Sequence, residues 1–102
     1  MKVHNKYRNT APKDAVYIGR GSPYGNPYVI GKDGTREEVI AKFRRDLEAC
    51  LDDPEVQKAL LALDGKDLVC FCAPLPCHGD VLIDAVRRIK EKQNDYTNHD
   101  SH

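Results

Sequence analysis

Apolar residues along the chain fall into two kinds of run. Ala15-Val16-Tyr17-Ile18 and Leu68-Val69-Cys70-Phe71-Cys72 are short and continuous. Continuous apolar runs of this length mark strands covered on both faces, as in a parallel sheet. Lys2 to Asn5 adds a short first strand. The second kind has helical spacing. Val39, Ile40, Phe43, Leu47, Cys50 and Leu51 return to one face. Just before them, Thr35 and Glu38 have the spacing of a capping box, in which each side chain takes the other's backbone N–H. This predicts a helix over about residues 36–51. Asp53-Pro54 then offers an N-cap and a proline at the first helical position. Val56, Leu60 and Leu63 line that second helix, and Gly65 stops it. A third helix is predicted from Gly79 to about Lys90, with Leu82, Val86 and Ile89 inward. Residues 91–102, EKQNDYTNHDSH, are polar throughout and are expected to form a frayed tail.

The order strand, strand, loop, helix, helix, strand, helix predicts one α/β domain over residues 1–90. It should be a small layered, Rossmann-like domain: a mostly parallel sheet of about three strands with helices packed on it. In such sheets ligands bind outside the carboxyl ends of the strands. The two segments richest in unusual residues fall there. GRGSPYGNP follows one strand and CAPLPCHGD follows another, so one shared pocket is expected.

Composition narrows the function. The chain has 102 residues, 40% hydrophobic, with 16 basic and 16 acidic side chains. That is enough for a single core, and the balanced charge gives no reason to expect a nucleic-acid backbone as partner. Arg44-Arg45 and Arg87-Arg88 read as solvated helix faces. No apolar run is long enough to span a bilayer. The N-terminal stretch MKVHNKYRNTAPKD lacks the apolar centre of a secretory signal. A cytoplasmic location with reduced thiols is the expectation.

Gly19, Gly21 and Gly25 are spaced G-x-G-x-x-x-G. A dinucleotide fingerprint is one residue tighter and runs into a helix, which Pro23 and Pro27 prevent. Two readings remain: a structural double turn, or a backbone nest for an anion. In the second, Gly19, Arg20, Gly21 and Ser22 hold the anion, Tyr24 stacks on a ring and Asn26 bonds its edge.

Cys70, Cys72, Cys77 and His78 form a C-x-C-x4-C-H cluster that, with its neighbours, admits five readings. As a zinc set it offers four ligands of suitable type, though not in the paired spacing of common zinc modules. As a catalytic set, Cys77 at a helix N-terminus would be an activated thiol, with His78 or Asp80 as its base. Free N–H groups there, with Gly79 admitting a ligand to the backbone, would bind an anion. A Cys72–Cys77 disulfide suits a reducing compartment poorly. The plainest reading is that the cysteines pack as small hydrophobes while Asp80 caps the helix. Cys50 is expected to pack on a core face, which would leave Cys77 the more reactive thiol.

VYIGRGSPYGNPY, GTREEVIAKFR and GKDLVCFCAPLPCHGDVL together resemble the domain-of-unknown-function family 4326 of bacteriophages and bacteria. The resemblance spans about residues 15–85. Relatives often place tryptophan at the positions of Tyr24 and Phe71, and phenylalanine at that of Tyr28. It implies a small α/β domain, a bacterial or phage-infected cytoplasm, and a site formed by the two loops. It implies no reaction. The expected function is binding of a small phosphate-bearing or nucleotide-like molecule, with Cys/His chemistry as an extension. A zinc-stabilised interaction module is the alternative.

Overall fold

The computed structural model describes residues 1–8, 10–19, 21–71 and 77–100, with the side chains of its last helix described through Lys92. In chain order the elements are β1 (Val3–Asn5), a 3-10 turn (Lys6–Arg8), β2 (Val16–Tyr17), α1 (Arg36–Ala49), α2 (Pro54–Leu61), β3 (Leu68–Cys70) and α3 (His78–Asp100). The sheet order is β1-β3-β2, and both pairings are parallel. Leu68 stands opposite Val3 on one side and Val16 on the other. The ladder bonds run from Leu68 N–H to the Lys2 carbonyl at 2.8 Å and from Ile18 N–H to the Val69 carbonyl at 2.9 Å. The strand most continuously apolar in sequence is therefore the central one, as its two-faced burial requires.

These elements define a small α/β domain with a three-stranded parallel sheet. Among the described residues, β1 and β2 are joined by a 3-10 turn and irregular backbone with no α-helix. The described chain therefore lacks the strand–helix alternation of a Rossmann half at that point.

The helix starts follow from local chemistry. Thr35 Oγ1 accepts the Glu38 N–H, and the Glu38 carboxylate accepts the Thr35 N–H, which closes the capping box. Asp53 accepts the Glu55 N–H at 2.9 Å, with Pro54 as the first helical residue. The helix expected to end near Lys90 instead runs to Asp100, through the segment expected to be a tail. Glu91 and Lys92 have good helix propensity, so a polar sequence continues a helix already nucleated by packing.

α3 is the hub of the fold. Both α1 and α2 pack against it, and its Leu82, Ala85, Val86 and Ile89 join Ile18, Leu60, Leu63 and Leu68 in one buried cluster. Its first turn rests on the sheet. A Cβ added to Gly79 would lie 2.9 Å from both Ile18 Cδ1 and Val3 Cγ2. Gly79 therefore serves close packing of helix on sheet, and the expectation that it opens the backbone to a ligand is corrected.

At the far edge of the sheet, His4 Nε2 lies 2.7 Å from the Asp67 carboxylate and His4 Nδ1 lies 3.0 Å from Thr10 Oγ1. The His4 bond holds the Asp67 carboxyl below the usual aspartate range. Depression in the folded state means the stabilisation is complete above the ordinary aspartate value and disappears as pH falls through the lowered one. In urea melts, the advantage of the parent over Asp67→Asn should shrink on acidification; a gap that widens would contradict the pairing.

Gly79→Ala gives a sharper test, because two effects oppose each other. Helix propensity alone favours alanine by about 1 kcal/mol. Overpacking against Ile18 and Val3 costs about 1–3 kcal/mol. The account predicts net destabilisation in urea melts; a more stable variant would show that α3 does not sit this close to the sheet.

Candidate functional site

A cavity of about 520 Å³ opens at the carboxyl ends of the strands. Gly19, just past β2, and Phe71, just past β3, line it with Cys70, Cys77 and His78. Val29, Ile30, Val39 and Ile40 make its apolar wall, and Asn26, Tyr28 and Arg36 supply polar groups. Asn26 from the glycine loop and His78 from the cysteine segment thus face one space. This is the convergence of loops expected for an open parallel sheet.

His78 is 8% exposed, and its Nε2 lies 2.6 Å from the Ile18 carbonyl oxygen. A carbonyl can only accept, so Nε2 carries the hydrogen. The ring also packs edge-on against Phe43, with centroids 5.3 Å apart. Nδ1 has no hydrogen-bond partner among the described residues. No fully buried side-chain nitrogen or oxygen lacks a partner among them either, so Nδ1 keeps contact with solvent. A ring held this way presents a fixed acceptor that could take a proton.

Cys77, His78 and Asp80 do not form the nucleophile–base arrangement expected of them. Cys77 is 4% exposed and caps α3, its sulfur accepting the Gly79 N–H at 3.3 Å. Asp80 is exposed and accepts the Cys77 N–H at 3.3 Å. The two residues cap the helix start between them, with a thiol in the role a hydroxyl usually plays at the N-cap. His78 meanwhile bonds through Nε2 to the Ile18 carbonyl. The helix N–H groups expected to hold an anion are partly consumed by these two side chains.

The sulfurs of Cys70 and Cys77 are 3.5 Å apart, a thiol contact well beyond the ~2.05 Å of a disulfide. Among the described residues no group of three His, Cys, Asp or Glu side chains is arranged to hold a metal. Cys72, the other member of the expected zinc set, and Arg20, the expected anion contact, lie outside the described residues.

The glycine loop is a double turn. The Ser22 N–H and hydroxyl both donate to the Gly19 carbonyl, at 3.1 and 2.7 Å, and the Gly25 N–H donates to the Ser22 carbonyl at 3.1 Å. Ser22 is therefore occupied within the turn. Gly21 adopts φ +90° and is exposed. Tyr24, expected to stack on a ligand ring, packs against the core and donates its hydroxyl to the Ala59 carbonyl at 2.9 Å. It lines a separate groove between α1 and α2, away from Gly19 and His78. Asn26 binds the Val39 carbonyl and the Tyr28 N–H, fastening the loop to α1 at the cavity's edge.

Two polar lining residues escaped the sequence reading. Tyr28 donates its hydroxyl to the Asp46 carboxylate, which pushes the phenol's pKa up, and Lys42 Nζ sits 5.7 Å from its ring centroid. Arg36 is the first residue of α1. A cation at that position opposes the helix macrodipole, and that mismatch was the available signal.

The fold and cavity define a small α/β protein with a pocket at its strand ends, among the described residues. The family model described as "Domain of unknown function (DUF4326)" matches residues 1–88, and the chain belongs to that family. Over 90 residues it is 40% identical to a protein of Enterobacteria phage T4 described as "Uncharacterized 12.4 kDa protein in nrdA-td intergenic region", covering 86% of this chain and 79% of that one. No solved structure matches it. No helix among the described residues is long and apolar enough to cross a membrane.

Thiol reactivity tests the placement of the cysteines. The helical spacing predicts Cys50 inert on a core face, but it is exposed. It follows the last residue of α1, and its backbone (φ −107°, ψ 0°) leaves the helical spiral. Cys70 and Cys77 are buried. Alkylation at neutral pH, read by peptide mass mapping, should label Cys50 well before either. Faster labelling of Cys77 would contradict its burial beneath the α3 cap.

Proposed function

We propose that the cavity binds a small phosphate-bearing, nucleotide-like ligand. The observation that carries the reading is the composition of this one space. Arg36, Asn26 and His78 line it together with the apolar side chains of Val29, Ile30, Val39 and Phe71. An apolar pocket of about 300–1,000 Å³ with a few convergent polar groups is the usual form of a small-molecule site. Arg36 is the cation suited to a phosphate, because its planar fork bonds two oxygens at once. Arg20, in the neighbouring loop, belongs to the same proposal. His78 supplies the group that would receive a proton if the bound molecule reacts. The reading goes with a cytoplasmic location, the host's if the protein is phage-encoded.

Zinc held by Cys70, Cys72 and Cys77 is the second reading. Its support is the 3.5 Å approach of two sulfurs. His78 Nε2 is committed to a carbonyl, so the histidine could join such a site only through Nδ1. Metal analysis of the purified protein separates the two readings.

Titration calorimetry with a panel of nucleotides and nucleotide sugars tests the ligand reading. A charge-assisted contact contributes about 1.5–3 kcal/mol, so Arg36→Ala should weaken binding by about one to two decades. If no phosphate compound binds below millimolar, or if Arg36→Ala binds as tightly as the parent, the reading is wrong.

A further inference from the structure

We infer that an aromatic row beside the cavity, Tyr7, Phe71 and Tyr17 with Lys6, is the surface on which the ligand's ring system stacks. The ligand class is then a nucleoside phosphate, distinguished from a bare sugar phosphate by its base. This rests on the nucleotide reading of the cavity.

Each strand contributes one ring at its carboxyl end. Tyr7 lies two residues past β1, Tyr17 closes β2, and Phe71 follows β3 directly. The parallel sheet brings them into one row. Tyr7 and Phe71 have centroids 5.1 Å apart at a 45° tilt, and Tyr17 meets Phe71 edge-on at 6.0 Å. The row is not core. Tyr7 is 83% exposed and Phe71 43% exposed. Rings so open to water contribute little to folding, since burial is what makes an aromatic stabilising.

The row is also continuous with the cavity. Phe71 belongs to both. Gly19, at the cavity wall, lies so close to Tyr17 that an added Cβ would meet the Tyr17 hydroxyl at 2.4 Å. The rings therefore form the rim of the space that Arg36 lines.

Charge points to the same occupant. Lys6 Nζ lies 5.0 Å from the Tyr17 centroid and 5.7 Å from that of Phe71. Lys6 and Arg8 make no ion pair among the described residues. Exposed rings such as Tyr7 and Phe71, beside cations that lack a carboxylate, suit a flat ring carried on an anion, and aromatic platforms of this kind accept every base. A nucleotide has both features, and Phe71 belongs to both the row and the cavity wall. Its phosphate would meet Arg36 and its base would meet Phe71 and Tyr7.

Calorimetric titration of the four nucleoside 5′-monophosphates and of ribose 5-phosphate tests this on the parent, Tyr7→Ala and Phe71→Leu. Stacking of this kind is worth about tenfold or more in affinity. The nucleotides should bind the parent about tenfold tighter than ribose 5-phosphate. Either variant should lose about that factor for the nucleotides, and Tyr7→Ala, which lies outside the cavity wall, should leave ribose 5-phosphate unchanged. Tyr7 is exposed enough that its variant will fold, so it decides the matter even if Phe71→Leu does not. Nucleotides and ribose 5-phosphate binding the parent equally well would sink the stacking surface and spare the cavity reading. Equal nucleotide affinity in parent and variants would do the same. If neither class binds the parent, both readings fall. A single-stranded hexanucleotide that binds tighter than any mononucleotide would assign the row to a nucleic-acid strand and overturn the small-ligand claim.

Discussion

The bond from His78 Nε2 to the Ile18 carbonyl joins the start of α3 to the end of β2 inside the protein. Both residues are buried, so breaking it would leave an unsatisfied carbonyl at a cost of about 1–3 kcal/mol. Gly79, the next residue, lets the helix settle directly on Ile18 and Val3. The same imidazole packs against Phe43 of α1. One side chain therefore fixes where β2, α1 and α3 meet, and the cavity is the space left at that junction. Two polar groups facing it, His78 and Asn26, are held by hydrogen bonds of the fold itself.

That junction also limits which groups in the cavity are left for a charged ligand under the proposed reading. In many α/β proteins a glycine-rich turn and a helix N-terminus hold phosphate through backbone N–H groups. Here the glycine turn binds itself through Ser22 and Gly19. The α3 N-terminus gives two of its N–H groups to the Cys77 sulfur and the Asp80 carboxylate. Under the proposed reading, an anion would be held by side chains, of which Arg36 is in the wall and Lys6 is over the rings beside it. A chain of zero formal charge can still hold a locally basic site, because its acidic residues pair elsewhere, as Asp84 does with Arg44 and Arg87.

What was legible in the sequence was whatever depends on neighbours along the chain. Thr35 and Glu38, or Asp53 and Pro54, mark helix starts because caps are local. The runs at Val16 and Leu68 mark buried strands because a short run apolar on both faces has to be covered on both. That Gly19 and Asn26 share a cavity with Cys77 and His78 followed from strand ends alone. Errors came where three-dimensional context decides. Cys50 keeps helical spacing in sequence but falls one residue past the last turn of α1. Gly79 looked open to ligand and is pressed on the sheet. Tyr24 looked like the stacking ring, yet its hydroxyl binds the Ala59 carbonyl and its ring lies partly buried against the core. The rings that are exposed, Tyr7 and Phe71, stand near opposite ends of the domain in sequence, and only the parallel register brings them together.

The tautomer of His78 tests the central junction most directly. Long-range nitrogen–proton NMR on labelled protein distinguishes a ring protonated at Nε2 from one protonated at Nδ1. The account predicts Nε2–H in the ligand-free protein, with an Nδ1 resonance that moves when a nucleoside monophosphate is added. A ring protonated at Nδ1 alone, or an Nδ1 resonance indifferent to a nucleotide that demonstrably binds, would contradict it.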